Sequence, residues 1–388
     1  MSKDNSMQLP VPRLKASTAT YYGSASFMLG DDKFRWGINI DNVWTYAGLP
    51  QPKSTILPYV LSIRLPRGPV EILEHPNAGE VVKKKLNLPD EEEPASEVKE
   101  ICNDLVIRLK DARMDFVRVW FPWNFFNKTV NDASEFLMDT FVETLKSNGI
   151  EIVAVLGNGY SRFLPHGASV ERLDRYLGQL VPSSAEIVRH YKDSIRTWQI
   201  ENEPNWWKEH IAVDWRSGLI WLEPNNDEAI LKSLHDVVRA ECPKGQIIIN
   251  VEGDRNNVSY DRYTKYCDII GLDFYPGYAH SHQTSADKIK LASDVKKETG
   301  KQVIIAETGQ PSGPHLLGYN EERQAEYIKS ACQTAHSCDA IEALCVWRLA
   351  DSYWRSFPMQ ENHFGLLTKE REPKPAWFEY VNQIKEKA

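Results

Sequence analysis

The sequence predicts a (β/α)8 barrel folded as one domain. Three observations predict it: eight short apolar runs recur along the chain, segments of helical period separate them, and no Gly-rich phosphate loop follows the first run. Runs that are apolar almost throughout, rather than at alternate positions, mark parallel strands covered on both faces. A doubly wound open sheet is the competing architecture, and the missing phosphate loop counts against its nucleotide-binding version.

In order, the strands are RWGINI (35–40), DFVRVW (115–120), IEIVAVL (150–156), IRTWQIEN (195–202), QIIINVE (246–252), CDIIGLDFY (267–275), KQVIIAE (301–307) and IEALCVW (341–347). Helical periodicity falls over 97–112, 133–148, 184–194, 226–241, 284–299, 321–336 and 375–387, with a weaker segment at 257–266. The second helix starts from Asp132-Ala133-Ser134-Glu135 and stops at Gly149, a good pair of boundary signals. Residues 1–33 form an N-terminal extension, expected as a hairpin closing the barrel floor. Residues 45–96 are an insertion after strand one, with a possible hairpin and the acidic run DEEEPASE. Residues 157–182 and 204–225 are long loops after strands three and four, on the side where barrels build their sites. No repeat or linker divides residues 1–388, so the expectation is a single catalytic barrel with long βα loops.

Bulk properties exclude several functions. With 42% hydrophobic and 26% charged residues the chain has ordinary globular composition. A net charge of −8 and the lack of a basic run argue against a nucleic-acid partner. No apolar stretch approaches a membrane span, and MSKDNSMQLPVPRLK holds no apolar signal core, so a cytoplasmic location is expected. The six cysteines show no C-x-x-C spacing and several lie in apolar runs, as buried free thiols do. The ten histidines show no H-x-H or H-E-x-x-H spacing, so neither a metal nor a cofactor is expected. Twelve Trp and sixteen Tyr suit a large core, or a protein that stacks flat ligands such as sugars.

The chemistry lies at two strand tips. The fourth run ends in Glu201-Asn202-Glu203-Pro204, and the seventh in Ala306-Glu307-Thr308-Gly309. An ionised Glu beside a buried apolar strand costs free energy unless something pairs with it or uses it. Strands four and seven face each other across a barrel mouth, so their carboxylates can bracket a glycosidic bond, one as acid/base and one as nucleophile. Alternation places Glu201 and Glu203 on the same face, about 7 Å apart along the strand. Either can be the acid; the deeper setting of Glu201 suits an ion pair or hydrogen-bonded support and favours Glu203. Glu252 and Asp254, after strand five, either line a distal subsite or face water, and water is the expectation.

An Asn-Glu-Pro after one apolar strand and a Glu-Thr-Gly after a later one resembles the clan A retaining glycoside hydrolases, TIM-barrel β-glycosidases such as cellulases, mannanases and β-xylosidases. The likeness is spread over roughly residues 115–350 as short motifs. It implies Glu203 as acid/base and Glu307 as nucleophile, with Asn202 holding the sugar 2-hydroxyl. It implies Arg118 in FVRVW as the nucleophile's hydrogen-bonding partner, Tyr275 in LDFYP as a residue touching it, and Trp347 in LCVWR as the floor of the −1 subsite. The stretch PKPAW before the last helix also resembles the clan's closing segment. Two departures stand out: the histidine many members carry after strand three is replaced by Asn158, and the strand-six histidine of some families is absent, Asp273 preceding Tyr275 instead. Trp206, Trp207 and Trp354 lie in site-side loops, where they either stack sugars or pack the loops.

The expected partner is a β-linked oligosaccharide or glycoside, hydrolysed by double displacement. A transglycosylase using the same pair is one alternative. A carbohydrate-binding barrel without catalysis is another, and the presence of both Glu, Asn202 and Arg118 counts against it.

Overall fold

The computed structural model describes residues 33–40, 96–121, 132–156, 172–207, 220, 223, 225–252, 260–275, 284–351 and 359–387. Eight strands, β1 (Arg35–Asn39), β2 (Phe116–Trp120), β3 (Glu151–Leu156), β4 (Thr197–Ile200), β5 (Gln246–Glu252), β6 (Ile269–Phe274), β7 (Gln302–Thr308) and β8 (Ile341–Trp347), pair in chain order. Every pairing is parallel and β8 returns to β1, so the sheet is a closed (β/α)8 barrel. Between the strands run α1 (Ser96–Asp111), α2 (Asp132–Ser147), α3 (Leu173–Tyr191), the single turn α4 (Pro204–Trp207), α5 (Asn226–Glu241), the short α6 (Asp261–Thr264), α7 (Ser285–Thr299) and α8 (Glu321–His336); α9 (Pro375–Lys387) closes the set.

The apolar runs are buried on both faces because each strand feeds two cores. Outward side chains such as Trp198 and Ile200 pack under the helices, while Phe116, Val153, Ile248, Ile269, Ile304 and Cys345 fill the barrel interior. Gly37 makes room for this layer: a Cβ there would lie 2.2 Å from the Phe116 ring.

The eight strands fall where the sequence places them, within two residues at each end; β4, from Thr197 to Ile200, is the one shortened by two at both ends. Helix α3 differs from its expected span of 184–194: it begins at Leu173 and runs through Pro182. Pro182 is exposed, while Tyr176, Leu180, Ser184, Ile187, Val188 and Tyr191 form a continuous buried stripe. Burial along that stripe outweighs the lost backbone donor and the local clash of an internal proline. The weaker 257–266 segment shortens to the turn at Asp261–Thr264. The expected hairpin in 1–33 and nearly all of the 45–96 insertion lie outside the described residues. All six cysteines are free and buried. No helix among the described residues is long and apolar enough to cross a membrane.

Candidate active site

Above the apolar interior layer sits a polar one. Arg118, Gln199, Asn250 and Asp273 are buried at inward positions of β2, β4, β5 and β6, and all are 1% exposed or less. Polar groups withdrawn from water must find partners, and here they find one another. The Arg118 guanidinium donates from Nε to Gln199 Oε1 (2.7 Å) and from Nη2 to Asn202 Oδ1 (2.8 Å), while Nη1 lies 2.7 Å from Glu307 Oε1. Because Arg118 only donates, it sets the direction of every amide beyond it. Gln199 Nε2 donates to Asn250 Oδ1 (2.6 Å), and Asn250 Nδ2 donates to Asn202 Oδ1 (2.7 Å) and to Asp273 Oδ2. Trp120 stacks beside the guanidinium, 5.1 Å from its ring centroid to Arg118 Cζ.

The chain leaves β4 abruptly. Glu201 and Glu203 both hold left-handed backbone, at φ 64° and 45°, which costs about 1–3 kcal/mol each for a residue with a side chain. The surroundings hold them there. Gln199 Nε2 donates to the Glu201 carbonyl (2.9 Å), and the Glu203 N–H donates to Asn250 Oδ1 (3.2 Å). Pro204 then starts α4, where a missing N–H does no harm. Asn205 binds the β5 tip in both directions, accepting from Glu252 N (3.0 Å) and donating to the Glu252 carbonyl (3.2 Å).

A bulge aims Glu307. On β7, Ile304 and Ala306 point into the barrel, so strict alternation would turn Glu307 outward. The register with β6 slips after Leu272, pairing Asp273 with Glu307 and leaving Ala306 as the extra residue. Glu307 therefore faces inward as well. Tyr275 Oη donates to Glu307 Oε2 at 2.6 Å, and the Tyr275 ring meets the edge of Phe364 at 5.7 Å. At Gly309 the backbone presses against β8, where a Cβ would lie 2.2 Å from the Trp347 carbonyl oxygen. Trp347 ends β8 half-buried, with a cis peptide to Arg348.

The two glutamates are treated differently. Glu307 is ion-paired and hydrogen-bonded. Burial pushes the Glu203 carboxyl well above the ordinary carboxylate range, and the charges of Glu307 and Glu252 push it further. Asp273 is also raised well above its usual value, first by burial and then by the charges of Glu307 and Glu203. Burial and the same carboxylates raise the Tyr275 phenol, which keeps its proton for Glu307. The arrangement sets a carboxyl that holds its proton more tightly than a free glutamate opposite a carboxylate held by an arginine.

No family model matches the chain, and no curated protein matches it. Solved structures do. The family 1 β-glucosidase of Thermotoga maritima superposes with a TM-score of 0.62 at 14% identity, covering 92% of this chain and 99% of its own. A GH5_18 protein of Streptomyces cattleya in complex with GlcNAc gives 0.60 at 16%, covering 74% and 75%. A GH2 β-galacturonidase of Eisenbergiella tayi bound to galacturonate gives 0.55 at 16%, covering 74% of this chain. The chain spans about half of that last protein, 48% of its length. The barrel is one that glycoside hydrolases share.

Of the residues singled out in the sequence, Glu203, Glu307, Asn202, Arg118 and Tyr275 come together at the barrel mouth, with Trp347 at the neighbouring strand tip. Asn158 and Trp354 lie outside the described residues, as do the side chains of Trp206 and Trp207. Glu201 is completely buried, its Oε1 accepting from the Asn202 N–H (3.0 Å) and its charge bearing on the Tyr176 hydroxyl in α3. Glu252 does not face water as expected: it is half-buried, fixed by Asn205, and its charge acts on Glu203. Asp254 lies outside the described residues. Sequence reasoning missed Gln199 and Asn250, and took Asp273 only as a departure. The signal was a polar residue at an inward position of an otherwise apolar run, in TWQI, IIINV and IIGLDF. Among the described residues no group of three or more His, Cys, Asp or Glu is placed to hold a metal ion.

Proposed function

We propose that this chain is a retaining β-glycosidase, with Glu307 as nucleophile and Glu203 as acid/base. The observation that carries the reading is the unequal setting of two carboxyls at one barrel mouth. Arg118 and Tyr275 hold Glu307, while burial and neighbouring charge keep Glu203 protonated. Glu307 Oε2 or Oε1 attacks the anomeric carbon as Glu203 gives its proton to the leaving oxygen. Ester formation removes the negative charge of Glu307, so Glu203 can next take a proton from water, and hydrolysis releases the sugar with its original configuration. Asn202, with its oxygen anchored by Arg118 and Asn250, is the residue to hold the 2-hydroxyl, and Trp347 the one to floor the sugar. The substrate is a β-linked glycoside or oligosaccharide.

The test is intact-protein mass spectrometry after incubation with a panel of 2-fluoro glycosyl fluorides, followed by peptide mapping. A single adduct on Glu307 is expected, and the sugar that reacts narrows the substrate. An adduct on another carboxylate overturns the roles, and no adduct with any sugar raises the carbohydrate-binding barrel in its place.

A further inference from the structure

The bulge that turns Glu307 inward interrupts the ladder on both edges of β7. Pairing with β6 slips after Leu272, and pairing with β8 slips between Ile305 and Thr308. Helix α8 ties the strand down again from outside the barrel. Thr308 stands opposite Phe274 of β6, and its Oγ1 lies 2.8 Å from the hydroxyl of Tyr327 in α8. The same Tyr327 Oη donates to the Phe274 carbonyl at 3.3 Å. A phenol has one proton and a carbonyl can only accept, so the Thr308 hydroxyl is the donor to Tyr327. One hydroxyl thus bridges two facing residues of β6 and β7. Their chain neighbours at the mouth are Tyr275 and Glu307, joined by their own hydrogen bond of 2.6 Å. Two more side chains fix the frame around the bridge. One turn before Tyr327, the completely buried Gln324 donates from Nε2 to the Gln310 carbonyl at 2.9 Å. From α7, the buried Lys288 sets its Nζ 4.0 Å above the Phe274 ring.

We propose that Tyr327 is a positioning residue for the nucleophile: by joining Phe274 to Thr308 it sets the spacing of the β6 and β7 tips at which Tyr275 reaches Glu307. Its part in the reaction rests on the glycosidase reading above; the spacing itself does not. Arg118 holds Glu307 Oε1 from β2, and Tyr275 holds Oε2 from β6. Contacts on both oxygens fix the plane of the carboxylate, whereas one contact alone leaves it able to turn. The Tyr275 contact weakens steeply if the strand tips part, because a hydrogen bond fades beyond about 3.2 Å. Attack on the anomeric carbon needs the reacting atoms about 3–3.5 Å apart and aligned, and a misplacement of about 1 Å can cost about 10²-fold. Tyr327 therefore acts on the chemistry through the barrel wall, by way of Tyr275 and Glu307.

Tyr327→Phe in the full chain keeps the ring and removes the bridge. On an aryl glycoside kcat should fall about tenfold with KM unchanged, since the alignment lost is used in the transition state. Thr308→Val should do the same, and Thr308→Ser, which keeps a hydroxyl, should return to the parent rate. Tyr275→Phe should cost at least as much as Tyr327→Phe. Adding Tyr327→Phe to it should cost nothing further, because the contact that Tyr327 sets is already gone. Losses that multiply in the double variant, or a loss carried by KM, would mean a structural role and overturn the proposal. Independently of turnover, a crystal structure of unliganded Tyr327→Phe should show Tyr275 Oη more than about 3.2 Å from Glu307 Oε2, or the Glu307 carboxylate in two orientations. A contact kept at the parent's length in one orientation overturns the positioning role even if the chain cleaves no glycoside, which separates this failure from that of the glycosidase reading. The structure of Thr308→Val is read in the same way if Tyr327→Phe does not fold.

Discussion

Two clusters at the C-terminal end of the barrel each bury a cation against a carboxylate, and they differ in balance. Lys374, 2% exposed in its side chain, places its three donors on Ser312 Oγ (2.9 Å), Asp351 Oδ1 (2.9 Å) and Asp351 Oδ2 (3.0 Å). Asp351 also accepts from the Gly365 N–H at 2.8 Å. One cation meets one anion, and the three donors of the ammonium are all placed. Even so, burial lowers the Lys374 ammonium and raises the Asp351 carboxyl, each effect outweighing the partner's charge. This cluster ties the loops after β7 and β8 to the start of α9, and we read it as a latch. In the active-site cluster, by contrast, Glu203, Glu252, Asp273 and Glu307 gather near Arg118. The backbone is strained at Glu203 itself and at Glu201 two residues before it. Burial first, and charge left unbalanced second, raise the Glu203 and Asp273 carboxyls here, and a protein gains nothing in stability from that. It gains an acid that is still protonated where a free glutamate is not.

The comparison breaks most visibly at Glu307. Glu307→Ala should lower kcat/KM by about 10⁴-fold or more, as expected when a nucleophile is removed, and kinetics on an activated aryl glycoside will show it. Activity within tenfold of the parent would remove Glu307 from the chemistry. Arg118→Met comes next. It strips three partners at once and leaves Glu307 buried without its cation, so a stability loss of about 3–5 kcal/mol is expected along with a fall in turnover. Denaturant unfolding and kinetics on the folded fraction separate the two effects.

The latch sharpens the contrast from the other side. Lys374→Met leaves Asp351 buried and unpaired and should cost about 3–5 kcal/mol in unfolding free energy. Its kcat/KM, measured well below the melting temperature, should match the parent. Pairing it with Asp351→Leu removes both charges, and the double variant should recover most of the loss. If Lys374→Met slowed turnover as severely as Arg118→Met, the division into latch and site would be wrong.

The barrel was legible because its period is simple: parallel strands buried on both faces read as unbroken apolar runs, and all eight did. What stayed hidden was non-local. Helix α3 passes Pro182 because a buried stripe that only folding assembles supports it. Glu307 reaches the mouth through a one-residue slip against β6, and no spacing within VIIAETG announces a bulge. Glu201 and Glu203 appear equivalent by alternation, yet left-handed backbone at both carries Glu201 into the packed layer and Glu203 to the mouth. Gln199, Asn250 and Asp273 were visible as polar residues in apolar runs. Their joint role depends on three strands meeting, which one strand cannot show.

The smallest expected effect is in the pH dependence of stability, and its sign follows from the direction of the shifts. Glu203 and Asp273 hold protons more tightly when folded than when unfolded, where a carboxyl titrates near pH 4. The native state therefore binds more protons than the unfolded state once the pH exceeds about 4, and stability falls as pH rises through the folded values. Glu203→Gln removes one of those groups without removing the side chain. Its melting temperature should equal the parent's near pH 4 and exceed it increasingly toward neutral pH. The double variant at Lys374 and Asp351 should keep the parent's slope over the part of this range set by Glu203 and Asp273, because it leaves both in place. Parallel curves for Glu203→Gln and parent across the range would mean that Glu203 is not held protonated by folding, and the contrast between a balanced latch and an unbalanced site would lose its electrostatic basis.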